Sequence, residues 1–249
     1  MSALPPSLYR VPFLVFNLIA GHVATCPPNK EPGLAERKRY QNNNKRLEFL
    51  TIIQWWFLPF IWVVLYTFHL SEIYVTLASV FPAIRSHALL SVLLPTTRLI
   101  GPMSSRLHVS PTLLLGSFMC FFGCTLRYIC YNTLGRQFTF ELSLKKDHKL
   151  ITHGPYSIVR HPSYIGSVIY FSGILIADFG AGSWFSVAGM WSTTFGRVLG
   201  TVWVCTVTFL LTSLVSRVPK EDKVLREEFG MQWVEWANKT PYRLIPGVY

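Results

Sequence analysis

Hydrophobic residues in this chain come in long runs, not in alternation. Apolar segments occupy residues 11–24, 49–70, 73–94, 107–126, 162–177 and 198–216. The second offers roughly 23 residues without a formal charge between Glu48 and Glu72, enough to cross about 30 Å of hydrocarbon. The segments ending at Arg127 and Arg217 run about 20 residues each. The segment after Arg160 is nearer about 17, and needs its flanking Tyr and Trp at the interface. Asn17 and His22 interrupt the first segment. Arg10 before it admits a signal peptide, but the basic cluster after it argues for a first span.

Three basic stretches, 30–46, 136–160 and 217–243, set the expected topology, since all three on the cytosolic side satisfy the positive-inside tendency. Region 73–94 must then cross an even number of times. Arg85 divides it into pieces of about 12 residues, too short for ordinary spans. A re-entrant pair, an interfacial helix or one wrongly sided loop would resolve the conflict, so the pattern predicts five to seven spans. Beyond Pro219 the chain is charged, with Leu225, Phe229, Trp233 and Trp236 recurring at helical spacing. That predicts an amphipathic helix of about five turns, Pro219 in its first turn and Glu221 and Asp222 at its positive end. The expected fold is all-α: a polytopic transmembrane bundle with a cytosolic C-terminal amphipathic helix.

Composition supports the bilayer, with 51% hydrophobic and only 14% charged residues and a mean hydropathy of +0.35. The net charge of +11 sits between apolar segments, where it suits anionic headgroups and membrane lipids as neighbours. No Gly-rich phosphate loop, zinc finger or basic-aromatic RNA motif accompanies it, so nucleic acid is not an expected partner. None of the five cysteines forms a CxxC pair, and they read as small buried hydrophobes. The closing PGVY carries no prenylation box.

Candidate chemistry concentrates in HKLITHGPYSIVRHPSYIG, residues 148–166. Gly154-Pro155 marks a turn and Pro162 suits the first turn of a following helix. His161 and Tyr164 then lie one turn apart, facing one space, and unpaired N–H groups at that helix start favour an anionic ligand. Read alone, these histidines and tyrosines also suit plain interfacial residues. No HExxH set or Ser-His-Asp arrangement is present, so neither a metal site nor hydrolysis has support. A second constellation is RVPKEDKVLREEFG, residues 217–230, where Arg217 and Glu221 are four apart. An ordinary i,i+4 ion pair explains that spacing as well as a functional pair does.

Taken together, GPYSIVRHPSYIG, a hydrophobic hairpin, R-x-x-x-E, FG and the closing KTPYRLIPGVY resemble the isoprenylcysteine carboxyl methyltransferase family over roughly residues 126–249. The resemblance implies a multi-pass enzyme of the endoplasmic reticulum membrane whose site faces the cytosol. It would move a methyl group from S-adenosylmethionine to the C-terminal carboxylate of a prenylated cysteine in CaaX-processed proteins. It implies N-terminal spans over 1–110 and a catalytic region over 111–249. Carried over by position, cofactor contacts fall on His148, Lys149, Leu150, Ile151, Tyr156, His161, Pro162, Ser163, Tyr164 and Glu221, with Glu141 where some members carry Gln. The substrate carboxylate would be oriented by Arg217. Physical chemistry agrees: a carboxylate with a pKa of about 3.5 is already an ionised nucleophile and needs alignment, not a base. The competing readings are a phosphatidylethanolamine N-methyltransferase, a membrane sterol reductase and a non-enzymatic membrane protein.

Overall fold

Backbone in hydrocarbon must satisfy its own N–H and C=O groups, and the long apolar runs do so as helices. The computed structural model describes residues 4–26, 28–29, 49–95, 106–140 and 148–249. A 3-10 turn, Pro6–Arg10, leads into α1 (Val11–Thr25); α2 (Phe49–Val80), α3 (His87–Leu93) and α4 (Pro111–Leu134) follow. The rest comprises α5 (Pro162–Phe179), α6 (Trp184–Val187), α7 (Thr194–Phe229) and α8 (Met231–Lys239), with no strand among the described residues. The protein is therefore an all-α polytopic membrane protein. Among the described residues, five helical segments have the length and apolar composition to cross a membrane: Pro6–Thr25, Trp56–Val80, Pro111–Gln137, Pro162–Val187 and Thr194–Phe229.

The count of five removes the conflict in residues 73–94. Connections after the first and third crossings carry the first two basic stretches, and the third basic stretch closes the fifth. Five crossings would let all three share one side, as the positive-inside tendency expects. The expected division of this region at Glu72 is incorrect. Helix α2 runs through Glu72 to Val80, and only the 3-10 turn Pro82–Ile84 and the seven-residue α3 follow. Glu72 can sit inside a span because Arg10 neutralises it. The carboxylate accepts from Arg10 Nε at 2.9 Å and from the Trp184 N–H at 2.8 Å, and Glu72 is 4% exposed. A paired, hydrogen-bonded acid does not end a helix. Arg85, which the sequence treats as a divider, turns back onto α2 and donates to the carbonyls of Ala78 and Ser79. A cation is favoured at that helix end.

The C-terminal helix also departs from expectation. Pro219 lies inside α7 instead of starting a new helix. The amphipathic face is cut at Gly230, whose φ of 53° breaks the helical path before α8 begins. Leu225 and Phe229 therefore belong to α7, and Trp233 and Trp236 to α8.

The chain forms two compact units, one of Met1–His22, Phe60–Phe122 and Ile169–Thr208, the other of Val23–Pro59, Gly123–Val168 and Phe209–Tyr249. The first has a charged and aromatic interior. Besides the Arg10–Glu72 pair, buried Asp178 accepts from Trp203 Nε1 at 2.9 Å and stands 3.7 Å from His69. The apolar insertion at 184–195, which has no evident role in the sequence, fills this unit. Phe185 stacks on Phe68 at 5.3 Å and meets Phe179 and Trp191, while Trp184 Nε1 donates to the Leu93 carbonyl. Gly189, at φ 65°, makes the turn that folds it inward.

Small residues let α4 and α5 touch. A Cβ on Gly173 would lie 2.6 Å from the Gly116 carbonyl oxygen and 2.7 Å from Met119 Cβ. Backbone contact of this kind supplies packing where lipid offers no hydrophobic drive. Gly173→Ala should therefore cost about 1–3 kcal/mol of stability. Thermal unfolding in detergent measures it, and an unchanged melting temperature would mean the helices are not in close contact.

Candidate active site

The second unit holds every described candidate from the sequence. Its foundation is the turn Gly154–Ser157, which seats Tyr156 against Cys130 of α4 and Trp236 of α8. Leu150, Ile151 and Trp233 pack around that cluster. Trp236 Nε1 donates to the Tyr156 carbonyl at 3.0 Å, so α8 fastens directly to the turn. Burial pushes the Tyr156 phenol well above its ordinary pKa, and nearby Cys130 and Glu221 add to the effect. The phenol stays protonated and able to donate.

Helix α5 starts at Pro162, as the sequence predicts. His161 and Tyr164 face the same space, their rings stacked at 5.7 Å and 6° apart. Tyr164 Oη donates to Glu221 Oε2 at 2.7 Å, and His161 Nδ1 lies 3.6 Å from the same oxygen. Glu221 Oε1 accepts no hydrogen bond from the described residues, and its side chain is 29% exposed. The expected anion site at the helix start changes in one respect. The His161 backbone N–H donates to the Arg243 carbonyl at 2.9 Å and the Arg160 N–H to that of Tyr242 at 3.0 Å. Chain beyond α8, not a ligand, satisfies these groups.

The remaining candidates fall nearby. Ser163 is buried and accepts from Arg127, which reaches from α4 to donate also to Ser167 Oγ and to the Ser163 carbonyl. His148 lies with its ring 5.7 Å from that of Phe229, and the Lys149 N–H donates to Gln137 Oε1. Buried Arg217 donates from a terminal nitrogen to the Phe140 carbonyl at 2.5 Å. Glu141 and the basic stretch at 30–46 lie outside the described residues.

Sequence reasoning overlooked the acid at the centre. Asp222, assigned there only to the helix dipole, accepts from His161 Nε2 at 2.9 Å, from Arg160 at 3.2 Å and from Arg243 Nε at 3.2 Å. The signal was present as an Asp beside Glu221 and two arginines near the ends of the motif. Nothing in their spacing says that residues 160, 222 and 243 meet. Arg127 was likewise overlooked, as the residue that ends a span. Chemically, the cluster presents one partly open carboxylate, a stacked imidazole–phenol pair, an apolar flank and a buried guanidinium. The hydroxyl of that pair, on Tyr164, is engaged with Glu221 Oε2.

Comparison with known proteins finds matches to the stretch that carries most of these residues. Residues 114–227 match the family model described as isoprenylcysteine carboxyl methyltransferase. The chain is 31% identical over 130 residues to protein-S-isoprenylcysteine O-methyltransferase B of Arabidopsis thaliana, which spans 51% of this chain and 55% of the relative. It is 36% identical over 80 residues to a protein-S-isoprenylcysteine O-methyltransferase of Dictyostelium discoideum, covering 28% of this chain and 34% of that one. A Delta(14)-sterol reductase of Mus musculus is 29% identical over 103 residues, 41% of this chain and 20% of the relative. The chain thus spans little more than half the length of the Arabidopsis relative it matches. The segment that supplies Arg127, His161, Arg217, Glu221 and Asp222 is the matched one, and over it the chain is similar to the isoprenylcysteine carboxyl methyltransferase family.

Proposed function

We propose that this protein transfers a methyl group from S-adenosylmethionine to the C-terminal carboxylate of a prenylated cysteine in CaaX-processed proteins. It would do so in the endoplasmic reticulum membrane, with the site facing the cytosol and residues 111–249 forming the catalytic region behind the spans of 1–110. The observation that carries the reading is a buried arginine, Arg217, one helical turn before Glu221, the partly open carboxylate held by Tyr164.

The residues suit the donor. Glu221 Oε1 is available to the ribose hydroxyls or the ammonium group. The His161–Tyr164 pair offers aromatic faces, and Leu150, Ile151 and Tyr156 an apolar seat for a ring. Pro162, Ser163, His148 and Lys149 complete the expected contacts, and Glu141 is proposed with them. When bound, S-adenosylmethionine supplies a methyl group activated on a sulfonium. Arg217 then holds the acceptor carboxylate through its planar fork, which a point charge such as Lys could not reproduce. The acceptor is ionised at neutral pH, so no side chain has to remove a proton. The chain's part is alignment and exclusion of water. A membrane setting fits the substrate, because each buried CH₂ of a prenyl chain contributes about 0.8 kcal/mol to partitioning.

The likeness to a sterol reductase supports a second reading, but it covers only 20% of that relative. An amine acceptor such as phosphatidylethanolamine would have to lose a proton first, and the Arg217 cation would be a poor contact for it. The deciding assay gives purified protein labelled S-adenosylmethionine with either N-acetyl-S-farnesylcysteine or phosphatidylethanolamine. Base-labile label on the farnesylcysteine is expected. Label confined to the phospholipid would overturn the substrate, and label on neither, from folded protein, would overturn methyl transfer itself.

A further inference from the structure

Asp222 stands beside Glu221 on α7, yet the two acids do different things. One residue on a helix turns the side chain by about 100°, so neighbouring carboxylates approach His161 from different directions. Glu221 stays loosely at Nδ1, 3.6 Å away, while Asp222 takes Nε2 at 2.9 Å. Asp222 and His161 are each 5% exposed and Arg160 8%, so these charges are largely withdrawn from water. Arg160 and Arg243 both reach the second oxygen, Asp222 Oδ2, at 3.2 Å. An imidazole donating to a buried carboxylate carries its hydrogen on that nitrogen, and both its tautomer and its ring orientation are set.

The chain beyond α8 closes the arrangement. The Thr240 and Pro241 carbonyls accept from one Arg160 nitrogen at 2.9 Å each, and the Tyr242 and Arg243 carbonyls accept from the Arg160 and His161 N–H groups. Arg243 is steadied in turn by Tyr249, whose hydroxyl accepts from it at 3.0 Å and whose ring lies 5.3 Å from its guanidinium carbon. Four consecutive residues, 240–243, therefore grip the two residues that precede α5.

We propose that Asp222 is the positioning residue of the methyl-donor pocket: it fixes the tautomer and orientation of His161, and Arg243 holds Asp222 in place for that task. This rests on the methyl-donor reading above. Asp222 itself faces the cations and not the open side of Glu221, so it acts through His161. Replacing it with Asn keeps the shape and removes the charge that orients the ring.

Asp222→Asn should raise the dissociation constant for S-adenosylhomocysteine, read by calorimetry in detergent, about 10-fold or more, the scale seen when the carboxylate behind a metal-binding histidine is removed. The KM for N-acetyl-S-farnesylcysteine should stay within about two-fold, because the acceptor side is untouched. Arg243→Ala should act through the same residue, so the double variant should bind no worse than Asp222→Asn by more than about two-fold. Arg243→Lys should recover part of the loss. Nitrogen NMR of labelled histidine, with no ligand added, should show His161 held with its hydrogen on Nε2 in the wild type and mixed in Asp222→Asn. Unchanged S-adenosylhomocysteine binding in Asp222→Asn, equal loss for both substrates, or a His161 already mixed in the wild type would each overturn the proposal. Wild-type protein that binds no S-adenosylhomocysteine would overturn the methyl-donor reading instead, and the tautomer measurement would still decide the role of Asp222.

Discussion

Arg217→Ala is expected to keep S-adenosylhomocysteine affinity near the wild-type value while lowering kcat/KM for N-acetyl-S-farnesylcysteine by about 100-fold or more. Removing one member of a buried, hydrogen-bonded charge pair costs about 2–5 kcal/mol, and on the proposed function the stranded partner would be the acceptor carboxylate. Arg217→Lys separates charge from geometry. It keeps the cation and loses the fork, so it should recover only part of the activity. Because Arg217 also holds the Phe140 carbonyl, the melting temperature of each variant belongs beside its kinetics. Equal loss of donor and acceptor affinity would show that Arg217 supports the whole site and does not receive the substrate.

The second large effect lies in the other unit. Glu72→Ala leaves the Arg10 guanidinium buried, at 0% exposure, without its carboxylate, and should destabilise the protein by about 3–5 kcal/mol. Replacing both members by apolar residues, Arg10→Met with Glu72→Leu, should cost much less, since no charge is then stranded. Thermal unfolding followed by labelling of Cys120 and Cys130, both fully buried, would report the loss of structure. A Glu72→Ala melting temperature equal to that of the wild type would show that Arg10 finds another partner and that the pair does not hold α1 to α2.

Which parts of this fold could be read in advance follows from the range of the interactions. Local patterns were legible. Apolar runs gave the long helices, Pro162 gave the start of α5, and the three-residue spacing of His161 and Tyr164 put their rings together. What failed was each judgement in which a charge or a proline was read without its distant partner. Glu72 looked like the end of a span because Arg10, 62 residues away, was not yet beside it. Pro219 looked like a helix start because its surroundings turn polar, yet α7 was long enough to carry it. At the site, family resemblance supplied the residues expected to touch the ligand. It did not supply Asp222, whose importance comes from partners 61 residues before and 21 after it.

That separation also orders events during synthesis. Arg160 donates to a carbonyl 80 residues further along, and α7 and α8 must both be made before it can do so. The spans can enter the bilayer one by one as they emerge, whereas closing an interval of this length is a late, entropically costly step. A nascent chain halted between the end of α7 and residue 240 would thus have all its candidate spans but, on the proposed function, an unfinished donor pocket. On the proposed function, donor binding would become possible only once residues 240–243 have been made, and ligand-induced stabilisation would act from that point on.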